Sequence, residues 1–147
     1  MTRMVAIDPG RAKCGLVLVD VNRRLVLAGS VEPADQVNTV LQRWCRDDAG
    51  VNRILLGNGT SSAEWQSRLQ AMAPIELVEE AGTTLRARDR YWQLWPPRGW
   101  RRWIPRGLLL PPGDLDALAA LVMLEDALAI SCQWAKSASP LRNGLEP

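Results

Sequence analysis

The sequence predicts an α/β domain built on a mixed five-stranded sheet, three antiparallel strands first and two parallel strands after, flanked by helices. Three observations predict it. Three short apolar runs separated by polar turns fill the first 31 residues. The apolar spacing then switches to a helical period across residues 35–46. Two later apolar runs, at 54–56 and 75–78, alternate with helical stretches, as parallel strands joined by crossover helices do.

Taken in order, residues 4–7 (Met-Val-Ala-Ile) read as a first strand stopped by Asp8-Pro9-Gly10, and residues 14–19 as its hairpin partner. A third strand at 25–31 follows the polar connection Asp20-Val21-Asn22-Arg23-Arg24. Val37, Val40, Leu41 and Trp44 share one face of the helix at 35–46. Ile54-Leu55-Leu56 is a buried parallel strand whose end opens into Gly57-Asn58-Gly59. Ser61 with Glu64 three residues on has the form of a capping box for the next helix, which turns Trp65, Leu69 and Met72 inward. Pro74 resets the chain before the strand at 75–78, and Glu79-Glu80-Ala81-Gly82-Thr83-Thr84 leads to a helix starting near Thr84, which the threonines are suited to cap. Residues 92–112 hold five prolines and four of the seven tryptophans with no clean period, so an extended loop or lid is expected there. From Asp114-Leu115-Asp116 a helix apolar on nearly all faces runs to about Ile130, which implies deep burial. The stretch 136–147 is rich in Ser, Pro, Asn and Gly and reads as a disordered tail behind a single domain at 1–135.

Composition narrows the chemistry. A chain of 147 residues with 47% hydrophobic and 23% charged residues can bury a core without disulfides or a structural metal. No apolar run approaches the ~20 residues that span a membrane, and the N-terminus lacks the stages of a secretory signal, so a cytoplasmic protein is expected. Cys14, Cys45 and Cys132 are too scattered for a thiolate metal site and odd in number for a disulfide framework. With no histidine in the chain, imidazole bases, Ser-His triads and His-based zinc sites are all removed. Catalysis must then run on carboxylates, metal, lysine or backbone. The net charge of +2 hides an uneven distribution: residues 86–106 contain seven arginines and one acid, Asp89, or +6, which leaves −4 for the rest. Such a stripe suits a phosphate backbone, or it is a solvated basic face.

Asp8 stands where a buried strand runs out, Glu80 just past the end of a later one, and Asp116 at the opening of the buried helix. Three carboxylates at the ends of core elements supply the hard oxygen ligands and negative charge that Mg²⁺ or Mn²⁺ needs in phosphoryl transfer. Each also has a plainer reading. Asp before Pro-Gly forms turns, Glu79 and Glu80 suit a solvated loop, and Asp114 and Asp116 suit the first turn of any helix.

The set resembles a known group. Ala6-Ile7-Asp8-Pro9-Gly10 with Gly15 is similar to the opening hairpin of RuvC-like and YqgF (RuvX) resolvases, members of the ribonuclease-H-like superfamily. Residues 75–84 (Ile-Glu-Leu-Val-Glu-Glu-Ala-Gly-Thr-Thr) resemble the YqgF strand that ends in an acidic pair, placing the family's glutamate on Glu80. The helix from Leu115 resembles the family's last one, placing its metal-binding aspartate on Asp116. The matches run in the right order over residues 4–130. They imply a ribonuclease-H-like fold and a divalent-metal endonuclease in which Asp8, Glu80 and Asp116 are catalytic and metal-binding, with Asp114 or Glu79 as a further ligand. The implied substrates are four-way DNA junctions or the immature end of 16S ribosomal RNA. The Asp-x-Gly hairpin also occurs in sugar kinases and actin-like ATPases, but those need two such domains and a longer chain. Two stretches depart from the YqgF pattern: Gly57-Asn58-Gly59-Thr60 replaces a Gly-Leu-Pro loop, and the Trp, Pro and Arg segment replaces a shorter connection.

Nucleic-acid contacts are expected from Arg11 and Lys13 in the hairpin turn and from Arg86, Arg90, Arg98, Arg101, Arg102, Trp100 and Trp103, because indoles stack on unpaired bases while guanidinium groups hold phosphates. The alternatives are solvent-exposed turn residues in the first case, and in the second a hydrophobic cluster or a homodimer surface. A rival reading of the whole is a non-catalytic nucleic-acid-binding or dimeric interaction protein that keeps the fold.

Overall fold

A computed structural model describes residues 2–59, 61–80, 82–105, 108–109, 111 and 115–135. Strands β1 (Arg3–Pro9), β2 (Lys13–Asp20) and β3 (Leu25–Pro33) form the antiparallel meander expected at the N-terminus. Helix α1 (Val37–Arg46) leads to β4 (Arg53–Gly57), and helix α2 (Ser62–Leu69) leads to β5 (Ile75–Val78). Both later strands run parallel, β4 beside β1 and β5 beside β4. Helices α3 (Thr83–Leu94) and α4 (Asp116–Leu128) follow, with a short 3₁₀ turn at Gly99–Trp103 between them. The strand order is β5-β4-β1-β2-β3-β6, the five strands expected from the sequence with one addition, a two-residue strand β6 (Gln133–Trp134) parallel to β3.

The period-two alternation of the strands divides the core into two layers. Val5, Ile7, Leu16, Leu18, Ile54 and Leu56 face α1 and α2, where Val37, Leu41, Trp65 and Leu69 close over them. Ala6, Val17, Val19 and Leu55 face the other way, toward α3 and α4. Residues Ala117 to Glu125 of α4 are all buried, which accounts for its lack of a polar face. Asp8 follows Ala6 by two positions, so the same alternation aims it at the α4 side.

Three expectations are corrected. Ser61 precedes α2, but its side chain makes no capping hydrogen bond, so the capping box is not realised. The expected loop at 92–112 starts too early, because α3 continues to Leu94. Trp92 is buried in that helix, and Trp95 packs against Tyr91 and Trp134, with ring centroids 5.2 and 5.4 Å away. The sheet gains β6, whose Trp134 indole fills the space above Gly29. Asp114, Arg106 and the tail at 136–147 lie outside the described residues. Cys14 and Cys132 are buried and Cys45 is half-buried, all as free thiols.

Candidate carboxylate site at the sheet end

β1, β4 and β5 are parallel and end side by side, and the crevice beyond the carboxyl ends of parallel strands is where α/β folds place their ligands. Asp8 occupies the penultimate position of β1, directly opposite Gly15 of β2. That glycine decides what can approach. A Cβ on Gly15 would collide with the backbone carbonyl of Asp116 and come within 2.6 Å of the Ala117 nitrogen. Only a residue without a side chain lets the first turn of α4 rest on the sheet beside Asp8. Asp116 is the first helical residue of α4, where the helix dipole favours a carboxylate.

Glu80 arrives from the opposite side, two residues beyond β5, and folds back over the end of β4. Gly57 and Gly59 leave the space its carboxylate occupies: a Cβ on Gly57 would strike Oε2, and one on Gly59 would sit 2.8 Å from Oε1. The Thr83 hydroxyl donates to the Glu80 carbonyl at 2.8 Å and so fixes the turn that carries it. The α3 N-terminus itself is made by Gly82 in the left-handed region, with no side-chain cap, so Thr83 pins the Glu80 turn and does not cap the helix as expected.

The electrostatics follow from this convergence. Partial burial, then the charge of Glu80 and a hydrogen bond shared with it, then the charge of Asp116, push the Asp8 carboxyl up to about 7. Asp8 and Glu80 can share that bond only while one of them is protonated. Glu80 Oε2 is buried with no hydrogen-bond partner. Lys13 Nζ stands 3.7 Å from Asp116 Oδ2, and Arg11 is exposed in the adjoining turn. Glu79 is exposed. Among the described residues no three ligating side chains stand close enough to form a ready-made cation site.

The arginines expected to meet nucleic acid separate into two sets. Arg86 makes a bidentate pair with Asp126 on α4. Arg90 makes another with Glu125, both bonds 2.9 Å, and also donates to the Cys132 carbonyl at 2.6 Å. Arg98, Arg101 and Arg102 are exposed, as are Trp100 and Trp103. Gly15, Gly57, Gly59 and Thr83 are the site residues that sequence reasoning did not single out as making room or holding position. The signal was the run Gly57-Asn58-Gly59 directly after a buried strand.

The sequence matches no protein-family model and no curated protein. Among solved structures the fold is similar to T. thermophilus RuvC in complex with a Holliday junction substrate, at 15% identity and a TM-score of 0.45, over 87% of this chain and 96% of that one.

Proposed function

We propose that the chain is a divalent-metal-dependent endonuclease that hydrolyses phosphodiesters in structured nucleic acid, with Asp8, Glu80 and Asp116 as its catalytic and metal-holding carboxylates. One observation carries the reading. Three acids from β1, the turn after β5 and the start of α4 lie toward one end of the sheet, near enough for Glu80 and Asp116 to raise the Asp8 carboxyl, and one of their oxygens, Glu80 Oε2, is buried without a hydrogen-bond partner. A buried carboxylate oxygen left without a partner costs several kcal/mol unless a proton or cation satisfies it. The donors are all hard carboxylate oxygens, so their chemistry fits Mg²⁺ or Mn²⁺ and not a softer ion. Asp8 and Glu80 form the nucleus of the set. Asp116 completes it, and Asp114 is a further candidate ligand.

The cation supplies a Lewis acid for the phosphoryl oxygens and a means of ionising water without histidine. The chain's own groups do the rest. Asp8 releases its proton near neutral pH and becomes an anionic ligand. Glu80, wedged between Gly57 and Gly59, holds a fixed orientation. Lys13 stands at the rim, placed to exchange Asp116 for a substrate phosphate, with Arg11 beside it. A four-way DNA junction or an immature 16S ribosomal RNA end fits this chemistry.

The test is cleavage of labelled four-way junctions, duplex DNA and ribosomal RNA precursor with Mg²⁺ or Mn²⁺, comparing the wild type with Asp8→Asn and Glu80→Gln. Metal-dependent cutting that both variants lose by at least a hundredfold is the expected result. Tight binding with no cutting of any substrate would sink the nuclease reading and leave a binding protein that retains the fold.

A further inference from the structure

Resting on the nuclease reading, we propose that Trp100 and Trp103 form a stacking platform for unpaired bases, flanked by Arg98, Arg101 and Arg102 as phosphate holders. The substrate presented to Asp8, Glu80 and Asp116 then carries a single-stranded segment and is not a continuous duplex.

The four tryptophans of this region divide sharply. Trp92 is buried in the core and Trp95 half-buried against it, whereas Trp100 is 70% exposed and Trp103 80% exposed. Leaving two indoles in water forgoes much of the apolar burial available to them, and exposed aromatic patches mark binding surfaces. Their backbone is built to hold them. Pro96 and Pro97 stiffen the approach, Gly99 takes a left-handed φ of 60°, and a 3₁₀ turn covers Gly99–Trp103. Residues three apart in such a turn lie on the same side, about 6 Å along its axis.

Charge selects the partner. No acid occurs between Arg90 and Gly113, so the surface suits a polyanion. The guanidinium of Arg101 lies 5.9 Å from the Trp100 ring centre and that of Arg102 5.6 Å from the Trp103 ring centre, near the outer limit of a cation–π contact. Each guanidinium lies over one face of its neighbouring indole, which leaves the opposite face for a base and the cation for a phosphate. Arg86 and Arg90, by contrast, are consumed by Asp126 and Glu125. The tryptophan segment is also the connection that delivers the chain into Asp116, which ties the platform to the carboxylate site in sequence.

The test is fluorescence anisotropy in EDTA, so that binding is read with cleavage silenced, using oligo-dT and a blunt mixed-sequence duplex. The wild type is expected to prefer the single strand. W100A/W103A should lose about five- to a hundredfold in single-strand affinity per indole, with duplex affinity little changed. W100F/W103F should recover most of it, which separates stacking from misfolding. Equal losses on both probes, or none, would overturn the proposal, as would a wild type that prefers duplex. Binding of phosphatidylserine vesicles in place of oligonucleotides, or self-association abolished by W100A/W103A, would overturn it in favour of a membrane or a second copy. None of these results touches metal-dependent cleavage, so this proposal and the nuclease reading can fail separately.

Discussion

Asp8 keeps a proton into neutral pH because burial, Glu80 and Asp116 all oppose its ionisation, raising it from an ordinary 3.8 to about 7. Folding therefore favours the protonated form. That contribution is complete below pH 3.8, where the unfolded side chain is also protonated, and is lost as pH rises through about 7. Without added metal, Asp8→Asn is expected to be more stable than the wild type at pH 8 by a few kcal/mol, with the gap closing toward pH 4. Urea unfolding at the two pH values reads this directly, and a gap that ignores pH would show that Asp8 does not bear the strain. Gly15 makes a separate prediction at the same scale. Because its Cβ would strike the α4 backbone and not a movable side chain, Gly15→Ala is expected to cost about 1–3 kcal/mol. It should also displace Asp116 and weaken metal binding, whereas an alanine tolerated at full stability and metal affinity would mean that α4 does not rest there.

At the level of elements, α3 is fastened to α4 by charge as well as by apolar packing. The side chains of Arg90 and Glu125 are only 14% and 10% exposed, and Glu125 also accepts from the Cys132 backbone at 2.7 Å, tying in the start of β6. Removing one partner strands the other charge, which typically costs ~3–5 kcal/mol, while replacing both by apolar residues often restores stability. Glu125→Ala and Arg90→Ala should therefore each be strongly destabilising, and Arg90→Met with Glu125→Leu should lie closer to the wild type in a thermal double-mutant cycle. Simple additivity of the single losses would argue against the clamp. The same clamp explains why charge counting along residues 86–106 overstated the free positive surface. Two of its arginines sit on the α3 face turned to α4, and acids 35 and 40 positions later meet them there. No local pattern in 86–106 could reveal that.

Across the whole molecule, what was legible in the sequence was what has a period or an abrupt end. The meander, the two parallel strands and α4 announced themselves through alternation and unbroken apolarity, and so did the positions of the candidate residues Asp8, Glu80 and Asp116 at or near element ends. What was not legible depends on contacts between distant residues. β6 is only two residues long and is held by pairing with Leu25 and Val26, and the burial of Trp92 and Trp95 depends on Tyr91 and Trp134. The spaces over Gly15, Gly57 and Gly59 exist only once three separate segments meet. That convergence leads to a prediction for the molecule as a unit. The unfolded chain scatters the carboxylates along more than a hundred residues, so a cation that binds the folded state alone stabilises it by mass action, about 2.7 kcal/mol at a hundredfold excess over its Kd. For a domain of this size that raises Tm by roughly 5–10 °C. An ion held by Asp8, as proposed, would have to displace its proton, so the rise with Mn²⁺ should be larger at pH 8 than at pH 6, and it should largely vanish in Asp8→Asn. A Tm unmoved by Mn²⁺ or Mg²⁺ at pH 8 would mean that Asp8, Glu80 and Asp116 do not hold metal.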